Sequence, residues 1–166
     1  MILYATETGT AQDSADNIAR ACRLIHFSAR VSNMATYVPV RAPRSNGTFP
    51  FDSPSQQTEL VSEHLVVFVL STTDSGVEPR SMTPLWNMLL RSDLPDDLFD
   101  ELDYAVFGLG DSSYERFCWP AKKLSRRLKG LGANEICAVG EGDEQHSLGC
   151  VARSFLADQF DETGGC

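Results

Sequence analysis

The sequence predicts an α/β fold: three layers, with a five-stranded parallel sheet in the order 2-1-3-4-5 at the centre and helices on both faces. Three observations carry that expectation. Short apolar runs alternate with amphipathic helical patterns along the chain. Two of the runs, Leu65 to Leu70 and Tyr104 to Leu109, are apolar at nearly every position, as strands buried on both faces are. The segments that follow the runs gather glycines and hydroxyl residues.

The elements follow in order. Ile2 to Ala5 is the first strand. Ala11, Ala15, Ile18, Cys22 and Ile25 then recur in steps of four and three, which is one face of a helix. Thr10 and Asp13 have the spacing of a capping box at its start. Arg30 to Asn33 is a short second strand, and residues 41–58 are a proline-rich polar surface loop without a period. After the Leu65 to Leu70 strand comes a helix carrying Met82, Leu85, Trp86, Leu89 and Leu90. After the Tyr104 to Leu109 strand, Pro120 opens a helix with Ala121, Leu124, Leu128 and Leu131 inward, and Gly132 ends it. Ile136 to Val139 is the fifth strand, and Val151, Phe155, Leu156 and Phe160 line a last helix. The 166 residues fit a single domain over 1–166.

The formal net charge is −9. An acidic chain is repelled by nucleic acid and by anionic membrane, so neither is expected as a partner. The charge suits a partner with a basic docking face, and it equally serves solubility. Five cysteines, an odd number without a C-x-x-C pair, argue against a disulfide framework or a zinc site and for a reducing, cytoplasmic setting. The first residues lack the basic and apolar regions of a signal peptide. His26, His64 and His146 are scattered without metal-ligand spacing.

In open parallel sheets, ligands bind beyond the carboxyl ends of the strands. Four segments fall there: Thr6 to Ala11, Ser71 to Gly76, Gly108 to Tyr114 and Gly140 to Glu144. In the first, three threonines and a glycine stand between a strand and a helix N-terminus, so hydroxyls and free amides can donate to a phosphate. An N-capped turn would use the same threonines. No Lys or Arg occurs in residues 1–19, so a phosphate there would be held by dipoles and hydrogen bonds alone. The segment is neither a Walker loop nor a dinucleotide fingerprint, and the chain has no G-x-S-x-G elbow. On the later helix, Lys122, Lys123, Arg126, Arg127 and Lys129 make a basic face: a solvated surface, or a contact for an acidic module.

The run Gly108-Leu109-Gly110-Asp111-Ser112-Ser113-Tyr114-Glu115-Arg116-Phe117-Cys118 resembles a flavin-contacting loop of the diflavin reductases, the family that includes cytochrome P450 reductase. Thr6 to Ala11 resembles that family's phosphate loop, and Gly142-Asp143-Glu144 its third flavin loop. Pro84-Leu85-Trp86, Ala121-Lys122-Lys123-Leu124 and Gly142 to His146 look like the branch that serves cytosolic iron–sulfur protein assembly. The resemblance implies a flavodoxin-like fold with FMN as cofactor. It implies that Thr6, Glu7, Thr8, Gly9, Thr10 and Ala11 wrap the phosphate. Ser71, Thr72, Thr73 and Asp74 would run along one side of the flavin ring. Leu109, Gly110, Asp111, Ser112, Ser113, Tyr114, Glu115, Arg116, Phe117 and Cys118 would cover the other, with Tyr114 stacking, while Asp143 and Glu144 close the pocket.

The implied role is one-electron transfer, with no catalytic side chain and no metal; the alternatives are an independent flavodoxin-type carrier and a phosphate- or nucleotide-binding module without redox activity. Electrons would come from NADPH through an FAD/NADPH-binding module and go to an iron–sulfur acceptor of the anamorsin type. The chain ends at Cys166 without that module, so it is expected to be an excised domain or a fragment, unable to take hydride from NADPH alone. One departure stands out: the family usually has glycine where this chain has Asp74. Aspartate reaches positive φ less readily than glycine, so the half-reduced cofactor is expected to have an altered stability.

Overall fold

The structure, a computed structural model, describes residues 1–37, 60–73 and 76–145. The expected 41–58 loop, the last helix through Val151, Phe155, Leu156 and Phe160, and Asp74 lie outside the described residues.

Strand β1 (Ile2–Ala5) pairs in parallel with β2 (Val31–Asn33) on one side and β3 (Leu65–Ser71) on the other. Next to β3 lies β4 (Asp103–Gly110), and the far edge of β4 carries β5 (Asn134–Glu135) and β6 (Gly140–Asp143), both parallel to it. The order is therefore β2-β1-β3-β4-β5, as the sequence predicts. The fifth position differs in detail. Between the pairs Tyr104–Glu135 and Phe107–Gly140, β4 advances three residues while its neighbour advances five. Two residues are in excess, so Ile136 to Val139, expected as the strand, leaves the ladder, and Ile136 is exposed. Backbone pairing asks little of side chains, so the glycine-containing Gly140–Asp143 takes the outer positions instead.

Alternate residues of the central strands face opposite layers. Leu3, Phe68, Leu70, Tyr104 and Val106 pack towards helices α2 (Thr83–Leu89) and α3 (Trp119–Lys129). Ile2, Val69, Phe107 and Leu109 pack against α1 (Thr10–Leu24). The α1 face is small: Ala11, Ala15, Ile18 and Ala19 are its buried residues. Cys22 is half-buried, and Ile25, expected inward, is exposed because the helix stops at Leu24. The Thr10–Asp13 capping box does not form. Gly9 takes the cap position instead, and its carbonyl accepts from the amides of Gln12 and Asp13 at 2.9 and 3.1 Å.

A short 3₁₀ turn, Arg80–Met82, leads into α2, which buries Leu85 and Leu89; Leu90, expected inward, turns out beyond the last helical residue. Pro120 sits in the first turn of α3, and Gly130 rather than Gly132 caps its end. Gly132 has φ +89 and redirects the chain towards β5. A buried polar contact fastens this side: the Tyr104 hydroxyl lies 3.0 Å from the Ser125 carbonyl, and Ser125 Oγ donates to Glu135 Oε1 at 2.6 Å. Every partner there is satisfied, which keeps the buried hydroxyls from costing stability.

At Gly108, β4 runs close under the start of α3. A Cβ there would lie 2.8 Å from Ala121 Cβ and 3.0 Å from Cys118 Cβ, both fixed close to the backbone. Gly108→Ala is therefore expected to destabilise the fold by about 1–3 kcal/mol, read as a lowered midpoint in urea unfolding.

Candidate cofactor cleft

The four segments converge as expected at the carboxyl edge of the sheet. They enclose an open cleft of about 360 Å³. Glu7, Thr8, Thr10, Ser71, Thr72, Thr73, Leu109, Gly110, Asp111, Tyr114, Arg116, Phe117 and Glu144 line it, together with Gly76 at the end of the Ser71 to Gly76 segment. Thr6, Gly9, Ala11, Ser112, Ser113, Glu115, Cys118 and Asp143 stand outside the lining.

The first loop is built around Gly9, whose φ of +104 turns the chain from β1 into α1. Thr6 braces that turn from behind. Its Oγ1 accepts from the Gly9 amide at 2.8 Å, and its own amide donates to Ser81 Oγ at 3.1 Å. Nothing in the sequence marks Ser81, which meets Thr6 only in the fold. Thr8 and Thr10 face the cleft with their hydroxyl oxygens 3.3 Å apart. The amides of Thr10 and Ala11 precede the first intrahelical acceptor and remain for a ligand. Glu7, at the edge of the cleft, accepts from the Arg80 amide at 2.6 Å and so ties the loop to the entry of α2.

The loops after β4 and β6 are fastened to each other. Asp111 accepts from the Ser113 amide at 2.8 Å and from the Gln145 side chain at 3.1 Å. Asp143 accepts from the amides of Ser112 and Gln145, both at 3.1 Å, and the Glu144 amide donates to the Gly110 carbonyl at 2.9 Å. These bonds explain why Ser112, Ser113 and Asp143 support the cleft without lining it. The hydrogen bond from Ser113 is the main reason that the Asp111 carboxyl is held below its ordinary range. Tyr114 stands half out of the surface over the cleft, while Leu109 is buried in its floor.

Cys118 is in the left-handed region at φ 51 and is fully buried under the loop, against the Gly108 backbone. Burial, and next the Glu141 carboxylate, push its thiol up to about 12, so it is a packing residue and not a nucleophile. Among the described residues, no group of three or more His, Cys, Asp or Glu could hold a metal, and no helix is long and apolar enough to cross a membrane.

The site has one unsatisfied polar atom that points to a ligand. Thr72 Oγ1 is buried, lies beside the cleft and has no hydrogen-bond partner among the described residues. A Cβ at Gly110 would lie 3.3 Å from it, so glycine leaves that hydroxyl open. A phosphate-accepting helix end, an aromatic ring at the mouth and a waiting hydroxyl in the wall suit a flat ring system on a phosphorylated chain. These residues fit FMN.

Asp111→Ala removes the acceptor for Ser113 and Gln145 and is expected to weaken FMN binding about tenfold, measured by fluorescence titration of the apoprotein. Because the folded-state pKa of Asp111 is depressed, its contribution is present above the ordinary carboxylate value of about 3.9 and fades as pH falls through the lower folded value. The wild-type loop contacts should therefore be intact at neutral pH and loosen only as the pH falls below the ordinary carboxylate range.

The family model for flavodoxin matches residues 2–156 of the chain. Among curated proteins, the chain is 43% identical over 148 residues to NADPH-dependent diflavin oxidoreductase 1 of Mycosarcoma maydis, covering 89% of this chain and 20% of that protein. It is 42% identical over 149 residues to the protein of the same name from Danio rerio, covering 90% of this chain and 22% of that one. The chain thus spans about a fifth of the length of these relatives. Among solved structures, the flavodoxin of Streptococcus pneumonia TIGR4 superposes with a TM-score of 0.70 at 18% identity, covering 97% of each chain, which shows the shared fold. The chain belongs to the flavodoxin family, and its cofactor is FMN.

Proposed function

We propose that this chain is the FMN-binding electron-transfer domain of an NADPH-dependent diflavin reductase. The observation that carries the proposal is the 43% identity to NADPH-dependent diflavin oxidoreductase 1 across nine-tenths of this chain. In this reading electrons come from an FAD/NADPH-binding module and leave singly to an iron–sulfur acceptor of the anamorsin type in cytosolic iron–sulfur cluster assembly. The setting is the cytoplasm, in keeping with Cys22, Cys118 and Cys137 being unpaired thiols.

When bound, FMN supplies the capacity to accept a pair of electrons and release them one at a time. The residues of the chain bind and orient it. The hydroxyls of Thr8 and Thr10 and the free amides at the α1 terminus hold the phosphate. Thr72 Oγ1 gives a polar atom of the cofactor a fixed partner in the wall. Leu109 and Phe117 keep water from the inner side, and Tyr114 covers the outer side. The carboxylates of Asp111 and Glu144 disfavour added negative charge in the cleft, which makes a bound flavin a better donor once reduced.

The basic face of α3 has less to offer a partner than its sequence suggests. Lys122, Lys123 and Lys129 pair with Glu141, Glu78 and Glu135, and Arg127 donates to the carbonyls of Leu89 and Arg91. Most of that charge is spent inside the domain, so the reading favours docking through the acidic rim of the cleft.

Anaerobic photoreduction of the FMN-loaded protein tests the proposal. The sample should be yellow and should pass through a spectrally distinct half-reduced form before bleaching, and an added FAD/NADPH-binding reductase module should reduce it at the expense of NADPH. A sample that stays colourless with saturating FMN, or that is never reduced by such a module, would contradict it.

A further inference from the structure

Arg116 does more in the structure than border the cleft. Its aliphatic stem lies directly on Gly76: a Cβ at Gly76 would be 2.3 Å from Arg116 Cβ and 2.8 Å from Cδ. Gly76 also has φ +72, so glycine is required there both by backbone conformation and by the arginine above it. The turn that carries Gly76 is itself closed. Its amide donates to the Thr73 carbonyl at 2.8 Å, and Thr73 Oγ1 donates to the Val77 carbonyl at 2.9 Å. The arginine stem therefore joins the loop after β3 to the loop after β4, the two walls of the cleft.

The head of Arg116 is equally distinctive. It is the one cation among the described residues lining the cleft, where Glu7, Asp111 and Glu144 supply three carboxylates. Glu7 and Asp111 are engaged by the Arg80 amide and by Ser113 with Gln145. Among the described residues, Arg116 has no hydrogen-bond or ion-pair partner for its guanidinium. An arginine held by its stem over Gly76, with its head bordering the cleft and without a partner among the described residues, is placed to interact with a ligand, since a guanidinium offers five donors and a permanent charge.

We propose that Arg116 is a positioning residue with two separable actions: its stem clamps the two cleft walls together over Gly76, and its guanidinium offsets the acidic cleft so that reduced FMN is retained. The proposal rests on the cleft holding FMN. A charge acting on the more negative reduced cofactor must favour that state over the oxidised one. By linkage it therefore sets the ratio of the two affinities, and hence the reduction potential. The stem acts on both states alike.

Three variants separate the actions. Arg116→Met keeps an unbranched stem and removes the charge, Arg116→Ala removes both, and Arg116→Lys keeps both in part. Dissociation constants for oxidised and anaerobically reduced FMN, and hydrogen exchange at the Gly76 amide of the apoprotein, are measured for each. For R116M the account expects oxidised FMN to bind within about twofold of wild type and reduced FMN about fivefold more weakly, with unchanged exchange at Gly76. R116K should restore most of the ratio. R116A should show the same altered ratio and faster exchange, with thermal unfolding confirming that it remains folded. An R116M ratio equal to wild type would overturn the charge action. Equal weakening of both redox states would do the same, because it would place the charge on the phosphate. Unchanged Gly76 exchange in R116A would overturn the clamp. Failure of wild-type protein to bind FMN in either state would instead strike the cofactor reading on which the proposal rests.

Discussion

The site depends on one constraint: the start of α1 must present its free amides to an anion with no cation in the loop. Residues 1–19 contain no Lys or Arg, so the attraction comes from the helix end and from hydroxyl donors. Such a grip works only if the donors are fixed in advance, because weak dipoles cannot also bear the cost of ordering a loop. The fold supplies the fixing. Gly9 makes the turn at a φ that other residues resist, Thr6 holds its amide, and Ser81 holds Thr6 from the entry of α2. A change on the far side of Ser81 would thus reach the phosphate loop through two hydrogen bonds.

The rest of the cleft follows a related economy of charge. Its carboxylates are not left to repel one another. Asp111 and Asp143 accept bonds that knit two loops together, and Glu7 holds the Arg80 amide. The acidity that makes the mouth hostile to an added negative charge is therefore also what holds the mouth in shape. Tyr114 and Phe117 supply the apolar surface a flat ring needs, on the same loop that the acidic contacts secure.

Much of this was legible in the sequence, for reasons that can be named. The Leu65 to Leu70 and Tyr104 to Leu109 runs gave themselves away because strands buried on both faces have no polar side to blur the pattern. The Thr-rich and Gly-Asp-Ser-Ser segments were legible because a sheet of this topology sends its loops to one edge. The fifth strand was misplaced because its apolar residues, Ile136 to Val139, lie in a two-residue excess that only the register with β4 reveals. The capping box at Thr10 and Asp13 was a correct pattern overridden by a glycine one position earlier. The contacts of Gly76 with Arg116 and of Ser81 with Thr6 are invisible in the sequence, since the partners are forty and seventy-five residues apart. Cys118 was read as part of a flavin loop, yet the left-handed turn at its own position buries it against Gly108.

The most direct test of the account compares FMN with riboflavin, which lacks the phosphate, by calorimetric titration of the apoprotein at low and high salt. Donors fixed at the α1 terminus predict FMN binding at least about a hundredfold tighter than riboflavin. Because the grip is made of dipoles and hydrogen bonds in a preformed loop, that preference should persist at high salt. Equal affinity for the two ligands, or a preference that vanishes on adding salt, would contradict it.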